Sequence, residues 1–289
     1  MYAQTIAYGL FSAKCIDDSE QFDWNDAVDR IPNTNPFLKS LIKSCFEHDS
    51  GKAFFDELEL AEIINLLDNT NIGNILEHFN RHTGGGREDT VIYFYEDFLS
   101  AYEQETKKRR SVYYTPWPVV KFIVCAVNDI LKTKFGFADG LADTATKTIL
   151  KSVEGKKKRV SIDVPAIQIL DPATGTGTFL REVILSVYET FKEKNKGKSD
   201  DEIKKLWNEY VPKHLLLRLN GFELMMAPYA VAHMKLAMAL KDTGYEFGSK
   251  QRLNVMLTNT LEPASSDADF TEEGQQMSLF EDPLAAEAF

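Results

Sequence analysis

A carboxylate, two glycines and a set of hydroxyls fall together at Asp171 to Leu180, DPATGTGTFL. Asp171 closes the apolar run AIQIL, and the amphipathic stretch TFLREVILSVYETFKEK follows the glycines. A strand end, a glycine turn and a helix start aim backbone N–H groups and the positive end of a helix at a ligand. A Walker A loop for ATP or GTP requires GxxxxGK[ST], and no such lysine follows Gly175 or Gly177, which excludes that route. A dinucleotide fingerprint requires a small residue three positions after the second glycine, where this chain has Leu180; NAD stays open as an alternative. S-adenosylmethionine fits what is present. Asp171 can accept a hydrogen bond from an ammonium group, and Gly175 and Gly177 let the backbone approach a nucleoside without Cβ interference. A second carboxylate at the tip of the next strand, to take both ribose hydroxyls, is supplied by Glu223 in NGFEL. It lies farther along than the roughly twenty residues usual in dinucleotide folds.

The elements that must position these groups alternate in type. AIQIL reads as a buried parallel strand. The helix after the glycines gathers Phe179, Leu180, Val183, Ile184, Val187, Tyr188 and Phe191 on one side. The charged helical segment KSDDEIKKLWNEYVPKH accounts for the extra length before RLNGFE, the second strand. APYAVAHMKLAMAL is then a second helix and LNVMLTNTL a third strand. Strand and helix in alternation imply crossovers onto a parallel sheet, an α/β fold. Upstream, SVYYTPWPVVKFIVCAVNDILKTKFG offers Thr115 as N-cap and Pro116 as the first helical residue, with helical period kept to a stop near Gly136. The polar segment FADGLADTATKTILKSVEGKKKR reads as a surface insertion.

The first hundred residues read as helices joined by polar turns, in NPFLKSLIKSCFEH, FFDELELAEIINLL, NIGNILEHFNRH and, after Gly84 to Gly86, TVIYFYEDFLSAYEQE. The formal net charge of -11 argues against a whole surface made for nucleic acid. Charge is uneven, however: KKRR at Lys107 to Arg110 and KKKR at Lys156 to Arg159 make a basic middle, and no Lys or Arg follows Leu261. A solvated loop accounts for each basic cluster, and phosphate contact by KKRR is the alternative. Cys15, Cys45 and Cys125 form no CxxC pair, which argues against a disulfide framework or a zinc site and favours a reducing cytoplasm. No run approaches the length of a membrane span, and the N-terminus lacks the basic start of a signal peptide. His78 and His82 stand four apart on a helix without an accompanying Glu or Cys in a ligand pattern, so no metal site is assigned.

From about Val91 onward the chain resembles the N6-adenine DNA methyltransferases of restriction-modification systems, and most closely the methylase region of single-polypeptide enzymes of the type ISP or IIG kind. The resemblance is carried by FYEDFLSAYEQETKKRRSVYYTPWPVVKFIV, DPATGTGTFL, NGFELMMAPYAVAHMKLAMAL and LNVMLTNTL, in the family's order with YTP ahead of the glycine loop. It implies a helical coupling domain over residues 1–104, followed over 105–289 by the S-adenosylmethionine-binding half of a class I, Rossmann-like methyltransferase domain. Matched by motif, Tyr114, Thr115 and Pro116 hold the methionine carboxylate, in keeping with the anion preference of a helix N-terminus. Asp171, Pro172, Ala173, Thr174, Gly175, Thr176, Gly177 and Phe179 surround the methionine and nucleoside. Glu223 takes the ribose, Leu224 flanks the adenine, and Asn259, Thr260 and Leu261 align with a motif that usually carries an aspartate near the adenine amino group. Asn259 stands in place of that acid.

The resemblance also implies methyl transfer to adenine N6 of a flipped base in DNA, with no metal, through a tetrapeptide (N/D/S)PP(Y/F/W) on the fourth strand. That tetrapeptide does not occur in the chain; NPF at Asn35 to Phe37 and APY at Ala227 to Tyr229 lack a proline and sit elsewhere. No catalytic residue is therefore assigned. The expectation is a sheet truncated before its fourth strand, with the glycine-loop strand left as an edge. It would pair with a C-terminal methylase and target-recognition segment or with a second copy. A non-catalytic cofactor-binding or interaction subunit, and a methyltransferase acting on RNA or protein, are the alternatives.

Overall fold

The computed structural model describes residues 60–71, 115–152, 159–249 and 251–260, with scattered single positions among the first 74. Helix α1 (Leu60–Asp68) covers the described part of the segment FFDELELAEIINLL, where a helix is expected. The other helices expected before residue 105, and His78 and His82, lie outside the described residues apart from single helical positions such as Lys39 and Lys43.

Helix α2 (Trp117–Thr133) begins one residue later than its sequence suggests. Pro116, not Thr115, is the N-cap, with φ -56° and ψ 138°, and its carbonyl accepts from the Val119 and Val120 N–H groups. The correction follows from Pro118: a second proline in the first turn costs no hydrogen bond there. Gly136, at φ +76°, ends the extension.

The segment after α2 is not a featureless insertion. Gly140–Ala142 form a 3-10 turn whose Leu141 and Ala142 are buried, and Thr146–Ser152 (β1) and Arg159–Pro165 (β2) pair as an antiparallel hairpin. The turn is held from remote parts of the chain. Asn128 Oδ1 accepts the Leu141 N–H at 2.9 Å. Arg218 donates to the Leu141 and Asp143 carbonyls, and the Tyr210 hydroxyl donates to the Ala142 carbonyl.

The sheet that carries the glycine loop is β3 (Ile169–Asp171), β4 (Leu219–Glu223) and β5 (Asn254–Leu257), all parallel and in the order β3–β4–β5. Between β3 and β4 come α3 (Thr178–Lys194), α4 (Asp200–Tyr210) and a π turn at Val211–Leu215. Helix α5 (Met226–Asp242) joins β4 to β5. Ser199 opens α4 with a capping box, its side chain accepting the Glu202 N–H while Glu202 accepts the Ser199 N–H. The core lies between sheet and helices: Leu180, Val183, Ile184 and Val187 of α3 meet Trp207 and Tyr210 of α4 and Leu219, Val255 and Leu257 of the strands. Trp207 stacks on Tyr210 at 5.4 Å, and Tyr188 and Phe191 tilt against it at 4.9 and 5.1 Å. Helix α5 is buried on nearly every side, which is why its apolar residues show no single stripe. Among the described residues β3 pairs on one side only, and Leu170 on it is exposed.

Candidate functional site

Parallel strands deliver their C-terminal ends to one edge of the sheet, and ligands of open α/β sheets bind there. Asp171 ends β3 in register with Gly221, and Glu223 ends β4 two residues farther on, so both carboxylates reach the same edge. The loop between β3 and α3 folds back over β4. The Thr174 N–H donates to the Phe222 carbonyl at 2.9 Å, and the Thr174 hydroxyl donates to the Asp171 carbonyl at 3.0 Å. Gly221 makes that approach possible: a Cβ there would stand 2.5 Å from Thr174 Oγ1 and 2.9 Å from Leu180 Cδ1.

Gly175 and Gly177 take positive φ values, +55° and +80°, which L side chains rarely adopt. Space is not what demands glycine at 175, since a Cβ would meet nothing nearer than the Ala173 carbonyl oxygen at 4.0 Å. The loop there is open on its outer side. Its amide turns inward instead, and the Gly175 N–H donates to Glu223 Oε2 at 2.8 Å. Glu223 Oε1 accepts the Met225 N–H at 2.7 Å, so the second carboxylate fastens the loop to the start of α5.

Both acids are held away from water. Burial pushes the Asp171 carboxyl above the usual carboxylate range, against the pull of the Ala173 N–H on Oδ1. Asp171 Oδ2 is buried with no hydrogen-bond partner among the described residues. Glu223, 7% exposed, is raised chiefly by burial too; the Met225, Gly175 and Leu224 N–H groups oppose the shift and the Asp171 charge adds to it. A buried acceptor left open beside a second carboxylate is a place where a cationic donor is stabilised.

The remaining residues named from sequence distribute around this pair. Thr174, Thr176 and Gly177 are buried under the loop, and Pro172 and Ala173 are exposed at its crest. Phe179 is half-buried and, with Asp171 and Pro172, borders a cavity of about 420 Å³ that continues between α2 and β3. Leu224 is 65% exposed beside Glu223. The chain leaving β5 runs along the same rim: the Thr258 N–H donates to the Glu223 carbonyl at 2.9 Å and the Thr260 hydroxyl to the Pro172 carbonyl at 3.3 Å, with Asn259 half-buried between them. Thr115 and Pro116 stand at the start of α2, which is tied to α3 by the Trp117 Nε1–H donating to Glu182 Oε2 at 3.3 Å. Tyr114 and Leu261 lie outside the described residues.

Two participants escape a reading of motifs. Gly221 looks like any glycine in a strand, and only its fit against Thr174 gives it a role. Lys235 interrupts the apolar helix APYAVAHMKLAMAL and is 2% exposed, its Nζ donating to the Thr176 and Thr178 hydroxyls. A lone lysine in an apolar run was the available signal. Among the described residues no group of three or more His, Cys, Asp or Glu side chains could hold a metal ion. No helix among them is long and apolar enough to cross a membrane.

A family model described as N-6 DNA Methylase matches residues 86–273. No curated protein is matched. Among solved structures the chain is similar to a DrdV–DNA complex, at 22% identity and TM-score 0.44 over 89% of this chain and 20% of that one. It is similar also to a nuclease-deletion mutant of the Type ISP restriction-modification enzyme LlaGI in complex with a DNA substrate mimic, at 19% identity and TM-score 0.48 over 95% and 18%. A third is the ATP-dependent Type ISP restriction-modification enzyme LlaBIII bound to DNA, at 18% identity and TM-score 0.44 over 95% and 16%. The chain thus spans a fifth or less of the length of each of these proteins.

Proposed function

Because the chain belongs to the N-6 DNA methylase family, we propose that its parallel sheet is the S-adenosylmethionine-binding half of an adenine-specific DNA methyltransferase of a restriction-modification system. The observation that carries this reading is the buried Asp171 Oδ2, without a hydrogen-bond partner among the described residues and beside a glycine loop that Glu223 clasps from the neighbouring strand. An ammonium group would satisfy that oxygen, and the raised pKa of Asp171 would fall as it did so. Glu223 Oε2 accepts the Gly175 N–H and Oε1 the Met225 N–H, and an ionised carboxylate has about four acceptor positions, which leaves capacity for a ribose hydroxyl. The open outer side of Gly175 leaves room for the nucleoside to lie on the backbone. These residues fit the cofactor.

In this reading Thr115 and Pro116, with Tyr114, hold the methionine carboxylate at the start of α2. Asp171 orients the amino group, the loop from Pro172 to Gly177 with Phe179 shapes the methionine channel, and Leu224 covers one face of the adenine. Asn259, with Thr260 and Leu261, takes the place of the usual aspartate; its side-chain oxygen would accept from the adenine amino group. The cofactor supplies a methyl group activated on a sulfonium sulfur. The chain's own task is to bind and align it, since orientation of the reacting atoms is a large part of catalysis.

Residues 105–289 make up this half of a class I, Rossmann-like methyltransferase domain, and residues 1–104 a helical coupling domain. The tetrapeptide (N/D/S)PP(Y/F/W) is not among the 289 residues. In this reading the groups that receive the flipped adenine, and the domain that reads DNA, belong to a partner segment that carries the tetrapeptide. The edge of β3 that is unpaired among the described residues is where such a segment's strand would pair. The test is transfer of labelled methyl from S-adenosylmethionine to duplex DNA, with this chain joined to or mixed with a segment carrying the tetrapeptide. N6-methyladenine is the expected product. Label appearing in RNA or protein and not in DNA would replace this reading.

A further inference from the structure

Lys235 stands on α5 beneath the glycine loop, with its Nζ 3.2 Å from Thr176 Oγ1 and 3.1 Å from Thr178 Oγ1. The two threonines flank Gly177, whose left-handed bend turns the loop into α3. One ammonium donating to residues on both sides of the bend fixes the distance between them. The close approach is built into the fold. A Cβ on Gly177 would stand 3.2 Å from Ala232 Cβ, and Lys235 follows Ala232 by three positions, on the same side of the helix.

An ammonium buried to this degree is costly unless its donors are satisfied, and a methionine or leucine would fill the position with no desolvation cost. Packing alone does not account for a lysine here. The opposite side of the loop is fastened by the Gly175 N–H on Glu223, which leaves the Thr176–Thr178 side to be held from α5. We infer that Lys235 is a positioning residue for the cofactor loop, pinning Thr176 and Thr178 so that the Gly175 backbone and Asp171 keep the spacing the ligand needs. The inference rests on the S-adenosylmethionine reading for its purpose, while the pin itself is measurable without ligand.

Lys235→Met in the full chain keeps the side-chain volume and removes the donors. The expected result is faster amide hydrogen exchange over residues 174–178 and a Kd for S-adenosylmethionine raised about tenfold or more, the equivalent of one charge-assisted hydrogen bond. Unchanged exchange and affinity overturn the inference. So does a lower melting temperature with affinity intact, the signature of a merely structural lysine. Should Lys235→Met fail to fold, Thr178→Val and Thr178→Ser read the same bridge at the half-buried first position of α3: valine must speed the loop's exchange and serine must restore it, and equal exchange in the two overturns the pin. A parent chain that binds no S-adenosylmethionine, yet shows this exchange response, supports the pin while refuting the cofactor reading.

Discussion

Asp171→Asn separates the two duties of a buried acid. In the parent, Oδ1 accepts the Ala173 N–H at 3.2 Å while Oδ2 is buried without a partner among the described residues. Asparagine keeps the first contact through its side-chain oxygen and removes a charge that burial disfavours. The folded pKa of Asp171 is raised above its ordinary value of 3.8, so in that range the folded state binds more protons than the unfolded state. Stability is then fullest below the ordinary value and declines as pH rises through the folded pKa, which makes the cost of the charge complete at neutral pH. The unliganded variant should therefore be at least as stable as the parent at pH ~7, with a flatter dependence of melting temperature on pH above ~4. Binding should move the other way. An ammonium donating to a buried carboxylate is worth about 1.5–3 kcal/mol, or about ten- to a hundredfold in Kd, and the variant forfeits it. Parent affinity should tighten as pH rises through the Asp171 pKa, and the variant's should not. Calorimetric titration with S-adenosylmethionine across that range, beside thermal melts without ligand, reads both terms. An Asp171→Asn protein that melts lower than its parent and binds with equal affinity would refute the assignment.

Further substitutions probe the scaffold of the loop. Gly221→Ala forces a Cβ to 2.5 Å from Thr174 Oγ1, and denaturant unfolding should show a loss of about 1–3 kcal/mol together with weaker cofactor binding. Glu223→Gln places an amide NH2 against either the Gly175 or the Met225 N–H, so cofactor affinity should fall about tenfold or more by calorimetry; an unchanged Kd would remove Glu223 from the site. Arg218→Leu leaves the Leu141 and Asp143 carbonyls and the Tyr210 hydroxyl short of a buried donor, and should cost about 1–3 kcal/mol in chemical denaturation, with cofactor affinity unchanged.

The loop-bearing edge of the sheet was legible because its signals are local. TFLREVILSVYETFKEK has a glycine before it and one apolar side, and α3 spans those same residues, Thr178–Lys194. Asp171 and Glu223 were legible as strand tips because apolar runs lead into both. Strand β3 is shorter than AIQIL, for Ile167 and Gln168 precede its ladder. The β1–β2 hairpin went unread because Thr and Lys alternate through TKTILKS and dilute its apolar period, and because two strands paired only with each other bury little. Contacts between distant segments left no trace in any window. The buried turn at Leu141 depends on Asn128 and on Arg218, 77 residues away, and Lys235 meets Thr176 and Thr178 only when α5 lies against Gly177. Thr115 resembled a cap by composition, and the geometry gave that place to Pro116.

The central claim, that this sheet edge binds one sulfonium nucleoside, is tested most directly by equilibrium titration of the unmodified chain with S-adenosylmethionine, run beside ATP and NAD. Saturable binding at one site, displaced by S-adenosylhomocysteine and absent for both other nucleotides, is the predicted result. Binding of NAD in preference to S-adenosylmethionine, or no binding of either with the protein folded and its tetrapeptide-bearing segment supplied, would contradict it.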